Sequence, residues 1–364
     1  MRTFLSIHYL RGIAALGVLL FHAEGFLEGY GSQQLPHDLT TIGKAGVDIF
    51  FVISGFILTL VMGSSRGQTE FMLGRLARVG VPYWCVTLVL VAATLALPSA
   101  FRSFDWSGTD LLLSLSFIPS VARESSISPI LEPGWTLCLE MLFYILLAAS
   151  LSLAPSFRSA AVSAALCALV GIGLMLQLPQ GGGVVWFFTQ AVLVEFCFGI
   201  VIAQLFLKGW RTGKGPALAL IGLALAGFAV AVMFPPGSYT AMRPVTYGIP
   251  AALLVAGTVL LEGAGGWFEN RVLAFLGTIS YSLYLTHVLA LAVTAKILSG
   301  HVSGLGGDLV MLVAAIGAAL AGGYIFYQLV ERPALWLAAV VKKRMRDAGS
   351  SAPQSGDLIA QNRV

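Results

Sequence analysis

Ten stretches of this chain carry almost no charge, at 4–25, 46–63, 79–97, 133–153, 160–178, 185–207, 216–234, 245–262, 272–296 and 308–330. An α-helix crosses the hydrocarbon core of a bilayer with about 20 apolar residues, and lipid leaves the backbone no open-ended alternative. The pattern therefore predicts an all-α integral membrane protein of about ten transmembrane helices. Composition points the same way. Of the 364 residues, 57% are hydrophobic and 10% charged, with a mean hydropathy of +0.88, whereas a soluble domain carries about 25% charged residues. A soluble enzyme, a disordered protein and a nucleic-acid partner are excluded together. The segment 109–121 is too short to span and is expected at the membrane interface.

The basic residues give an orientation. One set of connecting segments holds Arg2, Arg66, Arg75, Arg78, Arg158, Lys208, Arg211, Lys214, Arg271, Arg332, Lys342, Lys343, Arg344, Arg346 and Arg363. The opposite set, with its margins, holds only Lys44, Arg102, Arg123, Arg243 and Lys296. Positive charge accumulates on the cytoplasmic side, so both termini are expected there, with an even number of spans. Arg11 interrupts the first apolar run, which reads as a retained helix rather than a cleaved leader. Residues 1–340 form one polytopic membrane domain, and 341–364 read as a basic, then disordered, cytoplasmic tail. Cys85, Cys138, Cys167 and Cys197 fall within apolar spans without metal-ligand spacing, and no metal is expected.

An ionisable residue inside a span marks a functional site by default, because lipid makes it costly. Arg11 and His22 lie eleven positions apart on nearly one face of the first helix, about 16 Å apart along its axis, and are expected to line one cavity. Asp48 opens the second span at the depth of His22. It either orients that imidazole or caps its own helix. Glu140 lies two turns into the fourth span, after Trp135. Glu195, in the sixth, has Arg11 as its most economical partner. Tyr281, Tyr284 and His287 share a face of the ninth span, which suits either a polar ligand or a hydrogen-bonded helix seam. Arg75 and Arg78 lie three apart at the cytoplasmic mouth and read either as orientation charges or as an anion site. Glu331-Arg332-Pro333 closes the tenth span, where proline stops or bends the helix. A cationic mouth and a deeper His/Asp/Glu/His layer suit an enzyme with an anionic donor, and also a polytopic transporter of an acyl group, sugar or lipid-linked sugar.

The local strings resemble those of the acyltransferase-3 family of membrane acyltransferases from about residue 5 to 336. LRGIAALGVLLFH keeps the family spacing of Arg11 to His22, and GVDIFFVISG (46–55) fits its G-x-x-x-F-F-x-x-S-G element. RLAR (75–78) fits its R-x-x-R element, and PGWTLCLEMLFY (133–144) is most similar to members acting on exopolysaccharides. VEFCFG (194–199), SYSLYLTH (280–287) and VERP (330–333) follow in order. Two positions depart from the pattern. Gly74 stands where a second basic residue often precedes the first arginine, and proline falls at 82 rather than 81.

The resemblance implies a membrane O-acyltransferase of the bacterial inner membrane, moving an acyl group, usually acetyl, from acyl-CoA to a hydroxyl of a carbohydrate or glycolipid acceptor. It implies no permanently bound cofactor, acetyl-CoA being the donor substrate. His22, Arg11, Asp48 and Glu140 would form the catalytic group, with His22 as general base or transient acyl carrier. Arg75, Arg78 and Arg11 would hold the donor, and Trp135, Tyr281, Tyr284 and His287 the acceptor.

Overall fold

The computed structural model describes residues 4–29, 42–63, 65, 67–98, 105–120, 127–179, 181–234, 241–298, 301 and 304–350. Arg2, Arg66, Arg102, Arg123 and Arg363 of the charge tally, and residues 351–364 of the expected tail, lie outside these. In chain order the helices are α1 (Leu5–Gly29), α2 (Ala45–Met62), α3 (Gln68–Arg75), α4 (Val81–Ala96), α5 (Gly108–Leu115), α6 (Trp135–Ser150) and α7 (Pro155–Leu176). They continue with α8 (Gly183–Phe187), α9 (Val194–Leu207), α10 (Lys214–Met233), α11 (Ile249–Gly263), α12 (Arg271–Leu298), α13 (Gly304–Phe326) and α14 (Arg332–Ser350). Among the described residues, the only bridge between extended segments is Ser120 with Ser128.

Nine segments among the described residues are long and apolar enough to cross a membrane, making this a multi-pass membrane protein. Where a further span was expected at 185–207, the apolar helix begins only at Ala191. Gln190 is extended (ψ 141°). Its side-chain amide donates to the Trp186 carbonyl at 2.9 Å, and Thr189 Oγ1 donates to that of Val185 at 2.8 Å. Side chains thus terminate α8, and α9 starts afresh. The expected interfacial segment becomes the eight-residue α5, opened by a reciprocal Ser107–Asp110 capping box.

Pro333 does not end the last span. A π turn at Tyr327–Glu331 joins α13 to α14, so helix runs from Gly304 to Ser350. The wider turn removes the need for the amide that proline lacks. Two further π turns, Leu76–Gly80 between α3 and α4 and Pro244–Gly248 before α11, also interrupt helices. All three sit beside charged residues that a uniform helix would aim elsewhere.

The principal packing pairs are α1 with α12, α12 with α13, α2 with α9, and α10 with α11. Buried share separates the centre from the rim. It is 72% for the span containing α2, but 17% for that of α7 and 22% for that of α10. The rim helices carry bare apolar side chains suited to lipid, such as Met175 and Met233. Glycines let the central helices touch. A Cβ at Gly12 would lie 2.7 Å from the Gly277 backbone nitrogen, and one at Gly199 would lie 2.6 Å from that of Phe56. Such small-residue crossings replace the hydrophobic drive that lipid cannot supply. At the end where α1 begins, Glu262 receives the Leu5 and Ser6 amides at 3.2 and 2.8 Å, satisfying two orphan donors of that helix.

Candidate active site

A cavity of about 310 Å³ lies between α1, α2, the Leu76–Gly80 turn, α6 and α12. Its polar wall consists of His8 and Arg11 from α1, Ser54 from α2, Arg75 and Arg78, Glu140 and Tyr144 from α6, and Tyr281 and Tyr284 from α12. Among the described residues, none of the three arginines makes an ion pair. Nε of Arg75 is buried without a hydrogen-bond partner, and its guanidinium stands 5.9 Å over the Phe71 ring. Glu140 accepts a hydrogen bond from Ser54 Oγ at 2.8 Å. The wall thus holds three cations against one carboxylate, an arrangement that calls for an anionic ligand.

The arginine face is held by packed polar groups. Tyr281 Oη donates to the Val79 carbonyl at 2.8 Å and pins the first π turn. Ser282 Oγ donates to Glu331 Oε2 at 2.6 Å and ties down the last one. Tyr284 Oη donates to the Pro133 carbonyl at 2.9 Å and contacts Thr136 Oγ1 at 2.8 Å. The hydroxyls of Tyr281 and Tyr284 therefore form the interhelical seam, and their rings line the cavity.

His22 and His287 form a second constellation, outside the lining of that cavity. His287 Nδ1 lies 2.6 Å from the Tyr284 carbonyl, and His22 Nδ1 lies 2.9 Å from that of Val18. A carbonyl only accepts, so both Nδ1 atoms carry protons in the neutral rings. His287 Nε2 is then an acceptor and faces His22 Nδ1 at 3.2 Å. The network leaves His22 Nε2 unprotonated, with a lone pair and no partner among the described residues. An oriented imidazole with a free lone pair is the geometry of a general base.

Two expected pairings do not form. Asp48 does not orient His22. It is fully buried and receives Arg243 Nε and Nη2 at 2.9 and 2.8 Å. Glu195 does not pair with Arg11. It is fully buried beside Asp48 and Arg243, with Oε1 3.0 Å from where a Cβ at Gly248 would stand. A bidentate guanidinium satisfies Asp48 better than a distant imidazole, and the glycine in the Pro244–Gly248 turn makes room for Glu195. Arg11 and His22 share α1 as expected, but only Arg11 reaches the cavity. Trp135 lies outside the lining, with Arg243 6.0 Å over its ring and Phe51 6.3 Å away.

His8, Tyr144 and Arg243 were not singled out from the sequence. His8 is three residues before Arg11, hence on its face, and that spacing was an available signal. In the sequence Arg243 is one of the few basic residues on the sparsely charged side, and nothing around it separates a buried ion-pair partner from a loop cation.

Residues 4–328 match the Acyltransferase domain family. The chain is 36% identical to the exopolysaccharide production protein ExoZ of Rhizobium meliloti (strain 1021), over 87% of this chain and 94% of that protein. It is 27% identical to acyltransferase MdmB of Streptomyces mycarofaciens, over 91% of this chain and 92% of that protein. No solved structure matches. With the family match covering nearly every helix described, the chain belongs to the acyltransferase family and is a multi-pass membrane acyltransferase.

Proposed function

We propose that the enzyme transfers an acyl group, acetyl in the first instance, from acyl-CoA to a hydroxyl of an exopolysaccharide or other surface sugar. The carrying observation is the cavity with three arginines that have no carboxylate partner among the described residues. Coenzyme A is polyanionic and cytoplasmic. The cavity lies toward the end of the bundle where α1 begins, and the surplus of basic residues in the segments at that end supports a cytoplasmic placement. Arg75, Arg78 and Arg11 hold the phosphates, and Glu140 accepts hydrogen bonds from the amides of the pantetheine arm.

Along α1, His22 is about 16 Å beyond Arg11, so the arm extends past Tyr284 to bring the thioester to the histidine pair. The acceptor hydroxyl oxygen attacks the thioester carbonyl carbon while His22 Nε2 takes its proton. Collapse of the tetrahedral intermediate breaks the C–S bond, and the departing thiolate recovers that proton from the imidazolium. His287 Nε2 is a second acceptor for the His22 Nδ1 proton that the Val18 carbonyl already holds, and so steadies the orientation of the His22 ring. The rings of Tyr281, Tyr284 and Trp135 offer apolar surface to the acceptor, and Asp48 holds α2 through Arg243. The polysaccharide acceptor draws support from the similarity to the exopolysaccharide production protein of Rhizobium meliloti. Mass spectrometry of surface glycans with and without the gene tests the reading. Loss of an acetyl mass that plasmid-borne enzyme restores is expected; unchanged acetylation contradicts it, and with unchanged modification but altered export a transporter takes its place.

A further inference from the structure

Helix α14 carries Arg332, Lys342, Lys343, Arg344 and Arg346 against the single acid Asp347. It packs on α3 and the Leu76–Gly80 turn, and Arg346 is fastened to Glu70 by an ion pair. One turn earlier, the Lys342 side chain lies in the notch left by Gly74. A Cβ built on Gly74 would meet its ammonium, with Cε 3.0 Å away. Lys342 makes no ion pair among the described residues, since the nearby Glu70 is turned to Arg346. Its charged neighbours also include Arg75, whose Nε is buried without a partner. The 342 ammonium is thus wedged beside the arginine cavity, among like charges that repel until an anion bridges them.

We propose that Lys342 is a fourth donor-binding cation, brought from the far end of the chain to hold a phosphate group of the acyl-CoA donor alongside Arg75. This rests on the acyl-CoA reading above. Phosphate could also come from a lipid headgroup at the membrane surface, and the choice of donor in the test separates the two. The ion pair from Arg346 to Glu70 sets the register of α14 so that Lys342 falls on Gly74. Gly74, with no side chain of its own, leaves the space in which the flexible end of Lys342 sits.

Initial rates in membrane vesicles, with acetyl-CoA and with acetyl-pantetheine, which lacks the phosphates, provide the test. Lys342→Ala is expected to raise KM for acetyl-CoA about tenfold, the low end for a charge-assisted hydrogen bond, with kcat little changed. KM for acetyl-pantetheine stays the same, and Lys342→Arg recovers most of the acetyl-CoA affinity. Lys343→Ala, which removes the same charge from the exposed side of α14, leaves both values unchanged. An unchanged acetyl-CoA KM in Lys342→Ala overturns the proposal. So does an equal rise with acetyl-pantetheine, or a matching rise in Lys343→Ala, which would indicate lipid headgroups or general surface charge. The double variant Arg75→Ala/Arg78→Ala separates the two levels. If it leaves the acetyl-CoA KM unchanged, the donor reading itself fails; if it raises KM while Lys342→Ala does not, only the Lys342 assignment fails.

Discussion

Asp48 and Arg243 lie 195 positions apart and are joined by two hydrogen bonds with almost no access to solvent. Leaving either charge buried alone costs about 3–5 kcal/mol. Arg243→Ala should therefore lower unfolding stability in detergent by that order, and the double variant Asp48→Asn/Arg243→Gln should recover a substantial part. Equal losses in both variants would show that the pairing is not the cause. His287 acts on a different quantity. His287→Phe keeps a ring but loses the acceptor that fixes His22, so kcat should fall at least tenfold while the acetyl-CoA KM stays put. His287→Gln, which still offers an oxygen, should fall less. A change confined to KM would place His287 in binding alone. The costly residues themselves were legible in the sequence, because lipid penalises every charge it does not pair. Their partners were not, because a partner is fixed by long-range packing, as with Asp48 and Arg243.

Nearly every span is where apolar length places it, since roughly twenty residues without charge have one outcome in a bilayer. Differences arise where side chains serve the backbone. Thr189 and Gln190 cap α8 and delay α9, and the π turn before Arg332 carries the helix through Pro333. Hydropathy sees neither, because capping and π geometry depend on single hydrogen bonds. The helix crossings are similarly invisible to hydropathy and depend on individual glycines. Gly199→Leu would force α2 and α9 apart, because a Cβ there already meets the α2 backbone. It should abolish folded, monodisperse protein in detergent, whereas Gly222→Leu, at an open position on α10, should leave the elution profile unchanged. Similar profiles for the two would remove close approach as the reason for the glycine.

For the molecule as a whole, the arginine cavity and the histidine pair are two stations along one axis, the first toward the end where α1 starts and the second toward its other end. Orientation then decides which compartment supplies each substrate. Single cysteines introduced at Arg211 and His301, in a background without the four native ones, should respond oppositely to a membrane-impermeant maleimide in intact cells. Position 301 labels, and position 211 labels only after permeabilisation; the reverse pattern would invert the donor side. The most direct test follows labelled acetyl-CoA with purified His22→Ala enzyme reconstituted in lipid, measuring CoA binding and acetyl transfer to the glycan in the same preparation. Binding is expected to stay within about twofold of the native enzyme while transfer falls by about 10²-fold or more, the scale of a lost general base. Transfer at the native rate with binding intact would contradict the role given to His22.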